Sequence, residues 1–481
     1  MAYRDIRDYL AVLEQRGKLR RVSKSVDRNW ELACLARWMY QAFPEEDRFG
    51  LLFEQVEGFD MPVATGVIGS SREAYAIGLG VEPDEINQRW IDGLRQPLPP
   101  RVVETAPCQE VVLTGADADL GRLPIPVWTP GKDPAPYITC PAITRDMGTG
   151  IYNAGVYRTM VRDGKSVVVG MGPGRHGMRC CESFFEKGEA APIAWAIGAE
   201  PAVHMVSVAN LPYETDEFTI AGGLIAEPLE LIPAKTVDLL VPANAEIIIE
   251  AEIRPGEFDE EGPFGEFAGY MGAGAVRPVA TITAITHRKN PIYYGLISQM
   301  PPSESTTLQS ITNAGINLKK LRHDLGHETV RDFYIDLTFG GTLAHGIVSM
   351  KPIYPGHAKQ IGRLLADMTL LKRITVVDED IDIRDTMHMA WAMNSRFSPS
   401  RDTIIIENTV SPGTMDRTVQ ARDGAPGLGS KIVCDATQKG DSGPYSLPSE
   451  DLMTKALDTW KEAGLPEFEI PKRVRLMLDG S

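Results

Sequence analysis

The sequence contains few cysteines and no long apolar segment. Its six cysteines are scattered over 481 residues without a Cys-x-x-Cys spacing, and a chain of this length can bury a sizeable core without disulfides. No segment approaches the roughly 18 consecutive apolar residues of a membrane helix. Residues 1–22 also lack the uninterrupted apolar stretch of a secretory signal. We therefore expect a cytoplasmic protein with reduced thiols and no membrane partner.

Positive charge is also scarce. The chain has 49 Lys and Arg residues against 65 Asp and Glu residues, for a net charge of −16 at pH 7. Because binding to a nucleic-acid backbone depends on clustered cations, this balance predicts no nucleic-acid partner. The 45 glycines and 35 prolines fall between apolar segments rather than in one low-complexity tract, which is typical of many short strands joined by turns.

Three regions of different pattern follow one another along the chain. Residues 1–110 alternate helical and strand-like patterns and end near a proline-rich segment. Residues 111–300 are rich in short strands, including predicted strands at 155–161 and 202–208. This pattern indicates a barrel or a sandwich with one inserted helix. The remainder alternates helices and strands again, which predicts a layered α/β domain.

Residues 172–177 spell G-P-G-R-H-G, which fits the G-x-G-x-x-G pattern of dinucleotide-binding loops. A strand-like segment precedes the loop, a helical one follows it, and Glu200 lies beyond the next apolar segment, as such a site requires. However, Pro173 and the pair Arg175-His176 are bulky for a loop that must approach a ligand closely. The pattern leaves two interpretations, a nicotinamide site or a phosphate held by free N–H groups at a helix N-terminus.

Glu261 and Glu266 flank the turn E-G-P-F-G-E. Two carboxylates in one folded pocket repel each other, so that one of them can stay protonated and act as an acid. The alternative is a pair of solvated loop glutamates, and the acidic neighbours Asp259 and Glu260 favour it. The motif therefore predicts either a general acid or a solvent-exposed turn.

Asn153 and Arg158 lie in a predicted strand and are five positions apart. Side chains on a regular strand alternate between its two faces, so an odd separation directs these two to opposite sides. One site can include both only if the strand is irregular near Gly155 or if a ligand lies across the strand end. A turn asparagine and a surface arginine are the simpler interpretation.

Asn153, His176 and Glu217 offer one nitrogen and two oxygen ligands. Such a set suits Mn²⁺ or Mg²⁺ rather than a tetrahedral thiolate zinc site. Alternatively, Asp216 and Glu217 are a charge pair at a helix start, and His176 contacts a phosphate. The spacing of these residues leaves both interpretations open.

Together these motifs occur in the order seen in one enzyme family. The chain resembles the UbiD-type decarboxylases, which use prenylated FMN, over nearly its whole length, from R-D-I-R at Arg4 to G-S-K-I-V-C-D-A at Gly429. E-G-P-F-G-E is the most specific of the shared elements. The resemblance implies a multidomain α+β fold: an N-terminal α/β unit (1–110), a central split β-barrel that binds flavin and metal (111–300), a linker helix (301–325) and a C-terminal α/β oligomerisation domain (326–481).

The same resemblance implies a catalytic network. Arg158, Glu261 and Glu266 match the family's Glu-Arg-Glu set, with Glu266 as the proton donor and Arg158 in an ion pair with Glu261. Loss of CO₂ from an sp² carbon leaves electrons that no side chain can accept, so this chemistry requires an electron-accepting cofactor.

The implied cofactors are prenylated FMN, Mn²⁺ and K⁺. Asn153, His176 and Glu217 match the Mn²⁺ ligands, and the K⁺ ion is held partly by main-chain carbonyls. Arg175 stands where some members have Gln, and residues 208–211 stand where others are Ser-rich, so main-chain contacts are expected there. The implied cofactor-binding residues are Asn153, Val156, Arg158, Arg175, His176, Leu211, Glu217 and Lys431, the last as the lysine that reaches the cofactor phosphate from the C-terminal domain.

The implied activity is the reversible non-oxidative decarboxylation of an aromatic or heteroaromatic carboxylic acid. The partners would be this acid, CO₂, a flavin prenyltransferase that supplies the cofactor, and further copies of the chain in a dimer or hexamer. An α,β-unsaturated acid or an aromatic acyl-CoA are alternative substrates, and residues 298–304 are either a pocket edge or a domain connector. Two other classes stay open: a nicotinamide- or flavin-dependent oxidoreductase built on residues 172–177, and a non-catalytic assembly subunit.

Overall fold

A computed structural model describes residues 3–337, 344–410, 416, 418–419, 427–440 and 443–479. The described chain divides into two compact units. The first comprises the residues up to Ile316 together with Leu337, and the second comprises Asn317–Asp336 and the described residues from Ala344 onward. Both units combine helices and sheets, so the predicted multidomain α+β fold is confirmed. The boundaries of the predicted domains stay a prediction.

The helices of the first unit are α1 (Ile6–Gln15), α2 (Glu31–Ala42), α3 (Arg72–Leu79), α4 (Ile86–Arg95), α5 (His176–Phe185), α6 (Pro201–Val206), α7 (Glu217–Ile225) and α8 (Glu304–Lys319), whose last residues belong to the second unit. Its strands are β1 (Leu19–Val22), β2 (Gly50–Phe53), β3 (Val63–Thr65), β4 (Arg101–Val102), β5 (Val111–Thr114), β6 (Tyr137–Ile138), β7 (Pro141–Arg145), β8 (Tyr152–Val156), β9 (Thr159–Val161), β10 (Ser166–Val169), β11 (Ala191–Ile197), β12 (Glu230–Pro233), β13 (Leu240–Pro242), β14 (Ile247–Glu261), β15 (Phe264–Gly265), β16 (Met271–Gly272), β17 (Ala275–His287) and β18 (Tyr293–Tyr294).

A nine-stranded sheet forms the centre of the first unit. Its order is β6-β9-β10-β17-β14-β11-β7-β8, with β5 also paired to β17, and each of these pairings is antiparallel. The long strands β14 and β17 form its middle, and their register shifts between Ile253 and Phe258. Residues before this shift are largely buried and those after it are largely exposed, so the two strands extend beyond the core.

The chain breaks the predicted strand at 155–161 into two. β8 lies at one end of the sheet, whereas β9 lies next to the strand at the other end, although only Tyr157 and Arg158 connect them. Two linking residues span about 11 Å at most, so the two edges of the sheet must approach each other. The sheet is therefore curled into a half-barrel, and Arg158 lies where its edges meet.

The predicted strand at 202–208 is wrong, because this segment forms helix α6. Pro201 occupies the first turn of that helix, where its missing N–H costs nothing. Each residue of α6 is buried, including His204, so the segment has no exposed face and carries no helical periodicity that would distinguish it from a buried strand.

A four-stranded sheet of order β1-β2-β3-β18 packs near the N-terminus. Its fourth strand comes from residues 293–294 and pairs in parallel with β3.

Glu304, at the start of α8, is fully buried, and its carboxylate accepts the N–H groups of Gly66 at 2.8 Å and Ile68 at 2.9 Å. The hydroxyl of Tyr294 donates to it at 2.9 Å. These hydrogen bonds offset the burial of the carboxylate, which raises the pKa of Glu304.

The second unit is built on a five-stranded sheet of order β19-β20-β21-β23-β22. The inner pairs β20–β21 and β21–β23 are parallel, and the outer pairs are antiparallel. Its strands are β19 (Val330–Ile335), β20 (His345–Met350), β21 (Arg373–Asp378), β22 (Thr403–Val410) and β23 (Leu428–Asp435), and its helices are α9 (His357–Met368), α10 (Thr386–Ser395), α11 (Pro399–Asp402), α12 (Glu450–Glu462) and α13 (Lys472–Asp479). Among the described helices of both units, none is both long and apolar enough to cross a membrane.

Candidate active site

Arg158 binds both carboxylates of the E-G-P-F-G-E turn. Its Nε lies 2.5 Å from Glu261 Oε1 and its Nη2 lies 3.1 Å from Glu261 Oε2, while Nη1 donates to Glu266 Oε1. The Glu261 side chain is fully buried, and that of Glu266 is 11% exposed. Burial disfavours the charge of Arg158, but the hydrogen bonds and charges of the two carboxylates outweigh it and raise its pKa. The interpretation of this turn as a pair of solvated glutamates is therefore wrong.

Two glycines outside the turn, Gly170 and Gly272, leave space for the charged side chains of the network. Glu261 ends β14, and Gly272 belongs to β16, which pairs with the short strand β15 inside the motif. A Cβ at Gly272 would lie 2.6 Å from Glu266 Oε1, and a Cβ at Gly170 would lie 2.8 Å from Arg158 Cγ. No side chain fits in either place without moving the carboxylate or the guanidinium.

Two aromatic rings cover the network from one side. The Phe264 ring centroid lies 5.6 Å from Arg158 Cζ and 4.4 Å from the ring centroid of Tyr137. The Tyr137 hydroxyl donates to the Gly262 carbonyl at 3.2 Å. These rings exclude water from part of the network and strengthen its electrostatic interactions. Neither ring was predicted from the sequence as part of the site, although Phe264 lies inside the motif itself.

Strand β8 brings Asn153 and Glu217 together. Glu217 is the first residue of α7, and its Oε2 accepts the N–H of Ala154, the neighbour of Asn153, at 3.2 Å. His176 is the first residue of α5. Tyr157 connects it to the strand, because its hydroxyl accepts the N–H of Gly177 at 2.9 Å and lies 3.5 Å from Asn153 Oδ1. The three predicted metal ligands thus lie around β8 and the N-termini of two helices.

Tyr157 was missed by the sequence analysis. A Cβ at Gly155 or at Gly177 would lie 2.8 Å from its ring, so both glycines make room for this side chain. The signal available in the sequence was the pair of glycines, one on each side of the predicted site, but nothing in their spacing indicates which side chain they accommodate.

The surroundings of Glu217 test whether a cation fits there. The side chain is 4% exposed and forms no ion pair with a described residue. Burial, together with the neighbouring Asp216, raises its pKa to about 8. A buried carboxylate without a counter-charge, in contact with the backbone next to Asn153, has the donor chemistry that a divalent cation prefers. The described residues contain no cluster of three His, Cys, Asp or Glu side chains suited to a metal; the predicted trio includes an asparagine.

His176 lies in a polar and aromatic environment. Its ring centroid is 5.3 Å from that of Tyr213 in an edge-to-face arrangement. Arg179 Cζ lies 3.6 Å from the Tyr213 ring centroid. Burial and the charges of Arg179 and Arg175 lower the pKa of His176. A neutral imidazole is the form that binds a metal.

The other predicted cofactor residues divide between the two units. Val156 and Leu211 are half-buried and Arg175 is exposed at the N-cap of α5, all in the first unit. Lys431 lies on β23 in the second unit, where its Nζ donates to the carbonyl of Ala366 at 2.5 Å and to that of Thr369. It therefore binds the C-terminal end of α9. The contact between Lys431 and a phosphate stays a prediction.

The glycine loop at 172–177 does not have the strand context of a nicotinamide site. Helix α5 follows β10 and precedes β11, but these two strands are separated in the sheet by β17 and β14 and run antiparallel to each other. A dinucleotide-binding unit requires parallel strands joined by the helix. The helix nevertheless presents its N-terminus next to His176.

Comparison with known protein families settles the affiliation. Three domains of 3-octaprenyl-4-hydroxybenzoate carboxy-lyase match in order: the N-terminal domain at residues 10–94, the Rift-related domain at 101–301 and the C-terminal domain at 309–436. The chain belongs to the UbiD family of carboxy-lyases. The resemblance stated from the motifs is thereby confirmed.

Solved structures of other UbiD-class enzymes are similar over nearly the whole chain. HmfF from Pelotomaculum thermopropionicum, in complex with FMN, has 32% identity, covers 94% of this chain and 99% of its own, and gives a TM-score of 0.83; an evolved dimeric form of it is in complex with prFMN. Vanillic acid decarboxylase from Sedimentibacter hydroxybenzoicus in open form has 29% identity, 96% and 99% coverage and a TM-score of 0.83. The 3,4-dihydroxybenzoic acid decarboxylase from Enterobacter cloacae has 25% identity, 95% and 100% coverage and a TM-score of 0.81.

Proposed function

We propose that this carboxy-lyase catalyses the reversible, non-oxidative decarboxylation of an aromatic or heteroaromatic carboxylic acid with prenylated FMN. The observation that carries the proposal is the sharing of Arg158 between Glu261 and Glu266. An arginine held by two carboxylates at a sheet closure gives one cation, one fixed counter-charge and one carboxylate that can exchange a proton.

The similar enzymes support the substrate class. Vanillic acid and 3,4-dihydroxybenzoic acid are aromatic acids, and both decarboxylases that act on them match nearly the whole chain. The complexes of HmfF with prFMN and FMN support the choice of cofactor. When bound, prenylated FMN would supply the electron sink that decarboxylation at an sp² carbon requires. An α,β-unsaturated acid or an aromatic acyl-CoA would need the same sink.

The contacts of the two glutamates support different roles for them. Glu261 is fully buried and both of its oxygens accept from Arg158, so it orients the guanidinium. Glu266 is partly exposed and uses Oε1 for Arg158, and the described residues form no hydrogen bond to its Oε2. We infer that Oε2 carries the proton that replaces CO₂ on the substrate carbon.

The remaining predicted residues would hold the cofactor. Asn153, His176 and Glu217 would hold Mn²⁺, which would supply the missing counter-charge of Glu217. A K⁺ ion would bind nearby, partly through main-chain carbonyls. The N-termini of α5 and α7 favour the phosphate, with Val156, Arg175, Leu211 and Lys431 as further contacts.

The proposal includes partners and location. A flavin prenyltransferase would supply the cofactor, and the chain would form a homo-oligomer, a dimer or a hexamer, in the cytoplasm. Size measurement of protein purified from cells that co-express such a prenyltransferase tests the oligomeric state.

The deciding experiment analyses that purified protein. We expect prenylated FMN by mass, stoichiometric Mn²⁺, and CO₂ release from at least one member of a panel of aromatic acids, with exchange of labelled CO₂ into the acid in the reverse direction. A colourless, metal-free protein without activity on the panel would contradict the proposal and favour a non-catalytic subunit. Consumption of NAD(P)H would favour the oxidoreductase.

A further inference from the structure

The Asp146 carboxylate begins a chain of hydrogen bonds that the proposed function does not use. Its Oδ2 accepts from the Tyr213 hydroxyl at 2.6 Å, and its Oδ1 accepts from the backbone of Gly148 and from the backbone and hydroxyl of Thr149. Burial would raise the pKa of Asp146, but these hydrogen bonds outweigh it and hold the pKa below its usual value. The carboxylate is therefore ionised at neutral pH and can only accept.

The direction of each further hydrogen bond follows from that acceptor. Tyr213 has a single hydroxyl proton and donates it to Asp146, so its oxygen accepts from the Cys180 thiol, 3.8 Å away. Thr144 forms the other side-chain hydrogen bond of Cys180. Because the thiol donates its proton to Tyr213, its sulfur accepts from the Thr144 hydroxyl. The oxygen of that hydroxyl is then free to accept in turn.

Asn153 is the last member of the chain. It lies opposite Thr144 in the register of β7 and β8, and its Nδ2 donates to Thr144 Oγ1 at 3.2 Å. Both residues and Cys180 are buried, so water does not compete for these groups. A chain of single donors that ends at a carboxylate has one polarity, and this polarity requires the amide nitrogen to face Thr144. The amide oxygen then lies on the side of Tyr157, whose hydroxyl oxygen is 3.5 Å away.

The chain also contacts a second predicted metal ligand. The Tyr213 ring, which carries the hydroxyl of the chain, packs edge to face against the His176 ring at 5.3 Å between centroids. Cys180 follows His176 by one turn of α5. The chain therefore connects Asn153 with the surroundings of His176, although none of the residues from Asp146 to Thr144 is itself a predicted ligand.

We propose that Thr144 is a positioning residue for the predicted Mn²⁺ site. Its hydroxyl, oriented by the chain that starts at Asp146, holds the Asn153 amide with the oxygen rather than the nitrogen towards the cation. A divalent cation of this kind binds an amide through its oxygen, so an amide that turns over loses its bond to the metal. The inference rests on the proposed function, because it assumes the predicted trio of metal ligands.

The test measures Mn²⁺ affinity rather than catalysis. Full-length protein purified with its cofactor is titrated with a chelator of known Mn²⁺ affinity, and the released Mn²⁺ is read by electron paramagnetic resonance. Thr144→Val keeps the shape and removes the hydroxyl, whereas Thr144→Ser keeps the hydroxyl. Tyr213→Phe interrupts the chain at a distance and keeps the ring against His176. Thr149→Val is the control, because the exposed Thr149 hydroxyl donates to the other oxygen of Asp146 at 3.0 Å and lies outside the chain.

We expect Thr144→Val to weaken Mn²⁺ binding about tenfold or more, since the hydrogen-bond partners of metal ligands commonly contribute about 10- to 100-fold to affinity. Tyr213→Phe should weaken binding by a smaller factor, because Cys180 then lacks its acceptor while Thr144 remains. Thr144→Ser and Thr149→Val should bind as wild type. Melting temperatures of the chelated proteins report folding separately, and Tyr213→Phe provides the result if Thr144→Val is poorly folded.

Unchanged Mn²⁺ affinity in both Thr144→Val and Tyr213→Phe overturns the inference while leaving the proposed function intact. A Thr144→Ser variant as weak as Thr144→Val also overturns it, because the effect would then come from packing and not from the hydroxyl. An equal loss in Thr149→Val would do the same, since it assigns the effect to the turn around Asp146. Wild-type protein that holds no Mn²⁺ defeats the metal site of the proposed function, and the inference with it. The two failures are thus distinguishable.

Discussion

Arg158 contacts both oxygens of Glu261 with two different nitrogens, whereas it reaches Glu266 with one. A bidentate arginine–carboxylate pair is geometrically fixed, and a single contact leaves the second oxygen available. Arg158 therefore fixes both oxygens of Glu261 but only one oxygen of Glu266. This asymmetry underlies the assignment of Glu266 as the acid.

Glu266→Gln should abolish turnover while retaining cofactor. The amide keeps the shape and the contact with Arg158 but carries no acidic proton, and general acid catalysis contributes about a hundredfold or more. Rates of CO₂ release and the absorption spectrum of the same sample provide the measurement. Glu260→Gln is the control, because Glu260 belongs to the same acidic stretch and is exposed. Full activity of Glu266→Gln would refute the assignment.

Gly272→Ala should lower kcat without affecting cofactor binding. The new Cβ would lie 2.6 Å from Glu266 Oε1, so the carboxylate must move, and a displacement of about 1 Å can cost a hundredfold in rate. Steady-state kinetics and melting temperature distinguish this from loss of folding. Gly148→Ala is the matched control, since a Cβ there meets Asp146 Oδ1 at an ordinary 3.4 Å. Equal kinetics of both variants would show that Glu266 needs no fixed position.

Glu217→Gln should lose bound Mn²⁺. The glutamine has the same size but no negative charge, and Glu217 has no other counter-ion among the described residues. The metal-free protein should not be destabilised by the change, because the buried carboxylate costs free energy when it lacks a cation. Metal analysis and melting temperature after chelation test both parts, with exposed Glu214→Gln as the control. A Glu217→Gln variant with full metal content contradicts the ligand assignment.

Glu200 should make stability depend on pH. It is fully buried, one oxygen accepts from Asn244 Nδ2 at 3.2 Å and the other has no partner among the described residues. Burial raises its pKa from 4.5 to about 7, so the folded state favours the protonated form. Stability from this group is complete below pH 4.5 and is lost as pH rises to about 7, by about 3 kcal/mol in total.

Glu200→Gln should remove this loss. Urea unfolding at pH 5 and pH 8 provides the free energies, and the variant should gain on wild type at pH 8 by an amount that largely vanishes at pH 5. An identical pH dependence in both proteins would show that Glu200 is not the group responsible.

Much of the site could be predicted from sequence because its chemistry is concentrated in short motifs. Glu261 and Glu266 share one turn, and the strand-like stretch around Asn153 is indeed a strand. The break after Val156 could not be predicted, because alternation within one segment does not show that its two halves pair with opposite edges of a sheet. The odd spacing of Asn153 and Arg158 was the only trace of it.

Contacts between segments that are distant in the chain could also not be predicted from the sequence. The hydrogen-bonded side chains of Asp146 and Tyr213 are 67 positions apart, and neither residue belongs to a recognisable motif. The prediction of a strand at 202–208 was wrong for a local reason. Every residue of helix α6 is buried, so no alternation of exposed and buried positions shows a helical period.

The contacts of the buried Glu304 carboxylate determine when the N-terminal sheet can be completed during synthesis of the chain. The N–H groups of Gly66 and Ile68 have their acceptor 238 and 236 positions downstream, and β3 receives its parallel neighbour only with Tyr293 and Tyr294. A nascent chain that has not yet emerged past Glu304 therefore holds an N-terminal sheet with an open edge and unsatisfied donors. The edge of β3 is therefore closed only after the central half-barrel has been made.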